Sequence, residues 1–114
     1  MRLEPWVLLF LAERPMHGYE LIERLAASDA APGADPGHLY RTLRRFEDEG
    51  LVRSAWDTTK PAGAPRRIYH LTQDGEATLR VWAAHVEATR RGLDAFLARF
   101  EMFVSETGAR GGDG

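Results

Sequence analysis

The stretch from Asp74 to about Phe103 constrains the fold most strongly, because its helical periodicity hardly breaks. In a heptad frame every a and d position except Thr89 is apolar. A helix about 45 Å long cannot bury that whole stripe against so small a body. We therefore expect a second copy of the chain to cover it in a two-fold symmetric dimer. The predicted interface residues are Leu79, Trp82, Val86, Leu93, Phe96, Phe100 and Phe103.

Composition limits the remaining possibilities. With 114 residues and 44% hydrophobic content, the chain has room for one modest core and for no second large domain. It contains no cysteine, which excludes disulfides and thiolate metal sites. The apolar run from Trp6 to Ala12 is too short to span a bilayer, so we expect a cytoplasmic protein with no membrane partner.

The net charge of −2 conceals an uneven distribution. Residues 1–34 and 68–114 each carry a net charge of −2, whereas residues 35–67 carry +2. A local basic patch of this kind can bind phosphates, although a binder this weakly basic should be sensitive to salt.

Two helices are predicted before the basic segment. Leu3–Glu13 is apolar around most of its circumference and indicates a core helix, in which Trp6 either packs or lines a ligand pocket. His17–Ala27 is amphipathic, and the connector from Ser28 to Ala34 is rich in Ala, Asp, Pro and Gly. The inward residues of the second helix are Leu21, Ile22 and Leu25.

A third helix is predicted between Asp35 and Gly50. Asp35 is a good N-cap, Pro36 suits the first helical position, and Gly50 suits the left-handed residue after the last turn. Stepping the residues at about 100° each divides the helix into two faces. The buried face holds Leu39, Leu43 and Phe46, and the displayed face holds Gly37, His38, Arg41, Arg44 and Arg45.

The charge order of this third helix is opposed by its own dipole, since basic residues precede the acids Glu47, Asp48 and Glu49. A bound polyanion would compensate the unfavourable order. An ordinary solvated face with i, i+4 neighbours is the alternative interpretation.

Two strands follow the third helix. Leu51–Asp57 alternates as a strand does, Thr58–Pro65 has turn composition, and Arg66–Leu71 closes a hairpin. Lys60, Arg66 and Arg67 lie at or beside the tip, where they either contact DNA or keep the edge soluble.

The element order predicts a mainly α protein with a small β-hairpin, an α+β winged helix-turn-helix followed by a long C-terminal dimerisation helix. We expect a DNA-binding domain at residues 1–72, the dimerisation helix at 73–105, and a disordered tail at 106–114, where glycine is frequent.

Three segments resemble the PadR family of bacterial transcriptional regulators: R-P-M-H-G-Y-E-L at 14–21, D-P-G-H-L-Y-R-T-L-R-R-F-E-D-E-G-L-V at 35–52, and R-R-I-Y-H-L-T-Q-D-G at 66–75. The single helix after the hairpin is similar to the shorter members of that family. The resemblance implies a homodimeric winged-helix repressor that binds a palindromic operator in double-stranded DNA and is released by a small effector, whose identity the residues do not select.

The resemblance also implies roles for individual residues. Tyr19 would contact a phosphate, and Gly37, His38, Tyr40, Arg41 and Arg45 would surround the major groove. For Tyr40, packing against the second helix is an open alternative, and for His17 an internal hydrogen-bonding role is expected. The predicted DNA-binding residues are Tyr19, Gly37, His38, Tyr40, Arg41, Arg44, Arg45, Lys60, Arg66 and Arg67.

A second function also fits the pattern, namely a protein- or granule-interaction module that uses the winged helix as a scaffold. The D-P-G-H-L-Y-R-T-L-R-R segment, with W-D-T in the hairpin, is similar to family members that respond to polyhydroxybutyrate. An enzyme is not expected, and neither is a cofactor or metal, because the four histidines lie in different elements without ligand spacing.

Overall fold

The structure, a computed structural model, describes residues 3–28, 35–59, 63 and 65–112. The described elements confirm the predicted fold class, with helices around a small antiparallel sheet. In chain order they are α1 (Leu3–Glu13), β1 (Met16–His17), α2 (Gly18–Ala27), α3 (Pro36–Asp48), β2 (Val52–Asp57), β3 (Arg66–Leu71) and α4 (Gln73–Gly112).

The sheet has three strands in the order β1-β3-β2, all antiparallel. The hairpin of β2 and β3 pairs Val52 with Leu71 and Asp57 with Arg66, as the alternating sequence predicts. The third strand, β1, was not predicted, because two residues are too few to display an alternating pattern. His17 therefore belongs to β1 and is the N-cap of α2, whereas the sequence predicted it as the first residue of that helix.

The core lies between the first three helices and the sheet. The residues predicted to be buried on α3, Leu39, Leu43 and Phe46, are buried. Thr42, which belongs to neither predicted face of α3, is buried as well. The rest of the core comes mainly from α1, α2 and the strands, through Val7, Leu8, Leu11, Met16, Leu21, Leu25, Val52 and Tyr69.

The predicted ends of α3 are confirmed by its capping geometry. The Asp35 carboxylate accepts a hydrogen bond from the Gly37 amide at 3.3 Å, and Pro36 occupies the first turn. Gly50 follows the helix with φ of 77°, the left-handed conformation that glycine adopts without steric cost. The third helix of the prediction is thus a discrete helix with a defined start and end.

The chain divides into two compact units, Met1–Val81 and Trp82–Gly114. The first unit extends past the predicted boundary at residue 72, because the first turn of α4 packs on the winged-helix body at the buried Gly75. The Gly75 amide donates to the Thr72 hydroxyl at 3.0 Å, so Thr72 caps α4 as predicted.

Helix α4 contains 40 residues, which corresponds to about 60 Å. It continues to Gly112, whereas the sequence predicted a disordered tail from residue 106. Proline is absent from Gln73–Gly112, and a glycine weakens a helix by only about 1 kcal/mol relative to alanine without ending it. Among the described residues, no helix is both long and apolar enough to cross a membrane.

Candidate nucleic-acid interface

Two adjoining clefts separate the outward face of α3 from the β2–β3 hairpin, and together we call them the α3–wing groove. They share Tyr40, Arg67 and Tyr69. The larger cleft, of about 500 Å³, is also lined by His17, Gly18, Tyr19, Pro65 and Arg66. The smaller cleft, of about 340 Å³, is also lined by Arg44, Glu47 and Asp48. The groove thus brings together Tyr19, Tyr40, Arg44, Arg66 and Arg67 of the predicted set.

The outward face of α3 carries an exposed arginine in its N-terminal half. Arg41 is exposed, and its Nη1 atom would lie only 3.3 Å from a β-carbon placed at Gly37. Without a side chain, Gly37 leaves room for Arg41 and for close approach of another molecule. His38 is also exposed and lines neither cleft.

Arg45 makes its contacts within the protein instead of on the outward face. Its Nη2 atom donates to the Glu4 carboxylate of α1 at 3.2 Å, and its Nε atom lies 3.9 Å from the Glu49 carboxylate. Glu4 is only 7% exposed, so this ion pair connects α3 to a buried acid of α1. A carboxylate in the otherwise apolar start of α1 is the sequence signal that indicates such a partner.

Tyr40 packs against the start of α2. A β-carbon added at Gly18 would lie 2.8 Å from Tyr40 Cε1 and 2.9 Å from its hydroxyl oxygen. The tyrosine ring therefore occupies the space that any other residue at position 18 would need. Packing against the second helix is confirmed, while Tyr40 also stays partly exposed in the groove.

The hairpin holds Arg67 in one position. Trp56 and Arg67 are paired across the two strands, and the guanidinium carbon lies 4.6 Å from the centre of the Trp56 ring. Arg67 Nη1 donates to the Ser54 hydroxyl at 2.7 Å, and that hydroxyl donates to the Glu47 carboxylate of α3 at 2.8 Å. This network joins the hairpin to α3 and places a cation at the groove.

Trp56 is a residue of the hairpin that the predicted site does not include. It is 57% exposed, and its ring lies beneath the Arg67 guanidinium. The sequence signal for its inclusion is a tryptophan close to the basic residues at the tip of the hairpin.

His17 has the internal role that was expected for it. Its Nδ1 atom lies 3.3 Å from the carbonyl oxygen of Arg67, and its Nε2 atom lies 3.4 Å from the Asp57 carboxylate. The ring therefore links β1 to both strands of the hairpin. Lys60, which was predicted to contact DNA, lies outside the described residues.

The two clefts of the groove differ in the charge of the residues that line them. Glu47 and Asp48 line the smaller cleft, whereas the larger cleft has two arginines and no carboxylate among its described lining residues. The larger cleft therefore suits a phosphate better than the smaller cleft does.

The side chain of Tyr69 lines both clefts. Burial, and to a smaller extent the nearby Glu47 carboxylate, raises the pKa of its hydroxyl.

The apolar stripe of α4 is mostly exposed. Of the predicted interface residues, Leu79 and Trp82 are half-buried, and Val86, Leu93, Phe96, Phe100 and Phe103 are exposed. Leu97 and Val104 are exposed beside them and widen the stripe. The rings of Phe96 and Phe100 lie parallel with centroids 6.4 Å apart.

Comparison with known proteins gives a consistent result. Residues 7–81 match the model of the transcriptional regulator PadR-like family. A conserved protein of unknown function, described as a potential transcriptional factor, is 36% identical, with a TM-score of 0.80 and 90% of each chain covered. A PadR-family regulator from Eggerthella lenta is 32% identical, with a TM-score of 0.66 and 80% of each chain covered.

PadR of Bacillus subtilis, solved in complex with operator DNA, is 21% identical with a TM-score of 0.63. The match covers 71% of the present chain and 46% of that one. No curated protein matches the sequence significantly.

Proposed function

Because this chain belongs to the PadR-like family of transcriptional regulators, we propose that it is a homodimeric repressor that binds a palindromic operator through α3 and the hairpin. The α3–wing groove is the observation that carries the proposal, since it gathers basic and aromatic side chains beside an open helix face. The operator complex of Bacillus subtilis PadR supports DNA as the partner. A small effector would release the operator, and the regulator would act in the cytoplasm.

The predicted DNA-binding residues have separate roles in this proposal. Arg41, exposed on the outward face of α3, would contact base edges in the major groove. Arg44 and Tyr19, one in each cleft, would contact phosphates, and Arg66 and Arg67 would hold the flanking backbone. Gly37 and His38, on the first turn of α3, would lie beside the bound DNA.

Arg45 takes a different role from the one that its position on the helix predicts. To reach a base it would have to give up its charge-assisted hydrogen bond to the buried carboxylate of Glu4, and such bonds are stronger than those between neutral groups. We propose that Arg45 orients α3 relative to α1, and that Arg41 makes the base contact.

The exposed apolar stripe of α4 is the observation that supports a homodimer. Phe96, Phe100 and Phe103 form a row of exposed rings on a helix of 40 residues, which a second copy would cover. A two-fold axis relating the copies would present two α3 helices to the two halves of a palindrome.

Arg41→Ala is expected to weaken binding to the operator by about 1 to 3 kcal/mol while leaving binding to unrelated DNA nearly unchanged. The reason is that a base contact carries sequence information, whereas phosphate contacts do not. Fluorescence anisotropy with a duplex from the chain's own promoter region and a scrambled duplex, at several salt concentrations, measures both affinities.

Arg45→Ala is the matched comparison on the same helix. We expect it to lower the thermal midpoint more than Arg41→Ala does, and to reduce operator discrimination less. Greater discrimination loss from Arg45→Ala would reverse the assignment of the two arginines. Absence of any binding to the promoter region at low salt would refute the function itself.

A further inference from the structure

Trp56, near the end of β2, is an aromatic side chain that the hairpin displays to solvent. It is 57% exposed, whereas Val52, four residues earlier on the same side of the strand, is buried in the core. Tryptophan side chains are well buried on average, because the indole offers a large apolar surface. The exposed part of Trp56 is therefore a surface that another molecule can cover favourably.

Trp56 lies on the side of the sheet that faces α3. Side chains two residues apart on a strand point the same way, and the Ser54 hydroxyl donates to the Glu47 carboxylate of α3 at 2.8 Å. Trp56 follows two residues later, and its partner across the strands is Arg67, which lines both clefts of the α3–wing groove. Trp56 therefore borders the groove on the side of the hairpin, next to residues that the proposed function assigns to DNA.

The charges beside Trp56 favour a polyanion as the covering molecule. Arg66 and Arg67 are both exposed at this end of the hairpin, and the Arg67 guanidinium carbon lies 4.6 Å from the centre of the Trp56 ring. The next residue in the chain, Asp57, accepts hydrogen bonds from the Thr59 amide at 3.0 Å and the Thr59 hydroxyl at 2.6 Å. A molecule that covers Trp56 must also accommodate the two cations, which the DNA backbone does through its phosphates. A protein surface of apolar side chains would leave them without counter-charges.

The modest charge of the chain gives a non-ionic contact a purpose. The whole protein carries a net charge of −2 and residues 35–67 carry +2, so few cations are available for phosphates. Affinity from phosphate contacts also falls steeply as the salt concentration rises. Apolar surface that is removed from water adds affinity without adding charge.

We propose that Trp56 packs the exposed part of its ring on a deoxyribose of the DNA backbone, while Arg67 binds the adjoining phosphate. The indole and the guanidinium, which are held together in the protein, thus form one site for a nucleotide of the backbone. The sugar is the same in every nucleotide, so the contact raises affinity for all DNA sequences alike. The inference rests on the proposed function for its partner, and it adds a contact that does not depend on charge.

Trp56→Ala is expected to lower the affinity for the operator duplex and for a scrambled duplex by the same factor, about tenfold. The slope of log affinity against log salt concentration should stay unchanged, because no charge is removed. Arg67→Ala should instead flatten that slope by about one. Fluorescence anisotropy at several salt concentrations measures both quantities. Met102→Ala, which removes an exposed apolar side chain from α4, is the matched control and should change neither.

A double variant separates a DNA contact from a purely structural role, in which Trp56 only holds Arg67 in place. A DNA contact predicts that Trp56→Ala still lowers the affinity about tenfold in the Arg67→Ala protein. A loss that disappears in that background would overturn the inference and assign Trp56 to the positioning of Arg67.

The unaltered protein provides a second measurement. The indole N–H resonance of Trp56, identified by its absence from the spectrum of Trp56→Phe, should shift when a scrambled duplex is added. Absence of that shift at saturation, or equal DNA affinities of the wild type and Trp56→Ala, would overturn the contact and leave the proposed function standing. A wild type that binds no duplex at low salt would contradict both.

Discussion

Leu93→Asp combined with Phe96→Asp is expected to convert the protein from a dimer into a monomer that no longer binds its operator tightly. Both side chains are largely exposed in the single chain, at 59% and 66%, so the substitutions leave the core intact. In the proposed dimer each aspartate would be buried without a partner, which costs several kcal/mol per charge. Sedimentation velocity measures the mass, circular dichroism measures the helix content, and anisotropy with the operator duplex measures the loss of binding.

The matched control places the same two charges on the opposite face of α4. Ala84→Asp with Ala98→Asp adds an equal net charge at exposed positions that lie about half a turn from Leu93. We expect this variant to stay dimeric and to bind the operator. A wild-type protein that sediments as a monomer, or a Leu93→Asp, Phe96→Asp variant that remains a dimer, would contradict the assignment of the stripe.

The sequence predicts most elements of the fold because their signals are local. The bounds of α1 and β3 match the prediction, and α3 is defined by the cap at Asp35 and the turn at Gly50. Such signals depend on residues only a few positions apart. The strand at Met16–His17 exists only through its pairing with β3, and this partner is about fifty residues away in the chain.

The candidate site is less accessible to sequence reasoning, because helical stepping finds a face but not its neighbours. Arg41 and Arg45 are one turn apart and belong to the same predicted face, yet Arg45 lies beside α1 and binds Glu4. Deciding between them requires the position of α1 relative to α3, which is a tertiary property. The position of Tyr69 in the groove likewise depends on how α2, α3 and the hairpin pack together. Its own segment indicates only a strand residue.

Gly75→Ala is expected to destabilise the fold by about 3 kcal/mol, near the upper end of the usual range for overpacking. A β-carbon at this position would lie 2.1 Å from the carbonyl oxygen of Leu51 and 2.5 Å from Cδ1 of Leu71. The Leu51 carbonyl cannot withdraw freely, because it accepts a hydrogen bond from the Thr72 amide at 3.0 Å. Relief of the clash therefore requires the first turn of α4 to move away from the turn that follows α3. Urea unfolding at a fixed protein concentration measures the change.

Gly92→Ala, in the same helix, isolates this clash from helix propensity. A β-carbon at Gly92 would meet no described atom within 4 Å, so the substitution should stabilise α4 by up to about 1 kcal/mol. Both variants exchange glycine for alanine within one helix, and propensity alone predicts a gain in both. Opposite signs for the two would assign the loss at residue 75 to the contact with Leu51. A gain at both positions would mean that the start of α4 does not pack on the turn after α3.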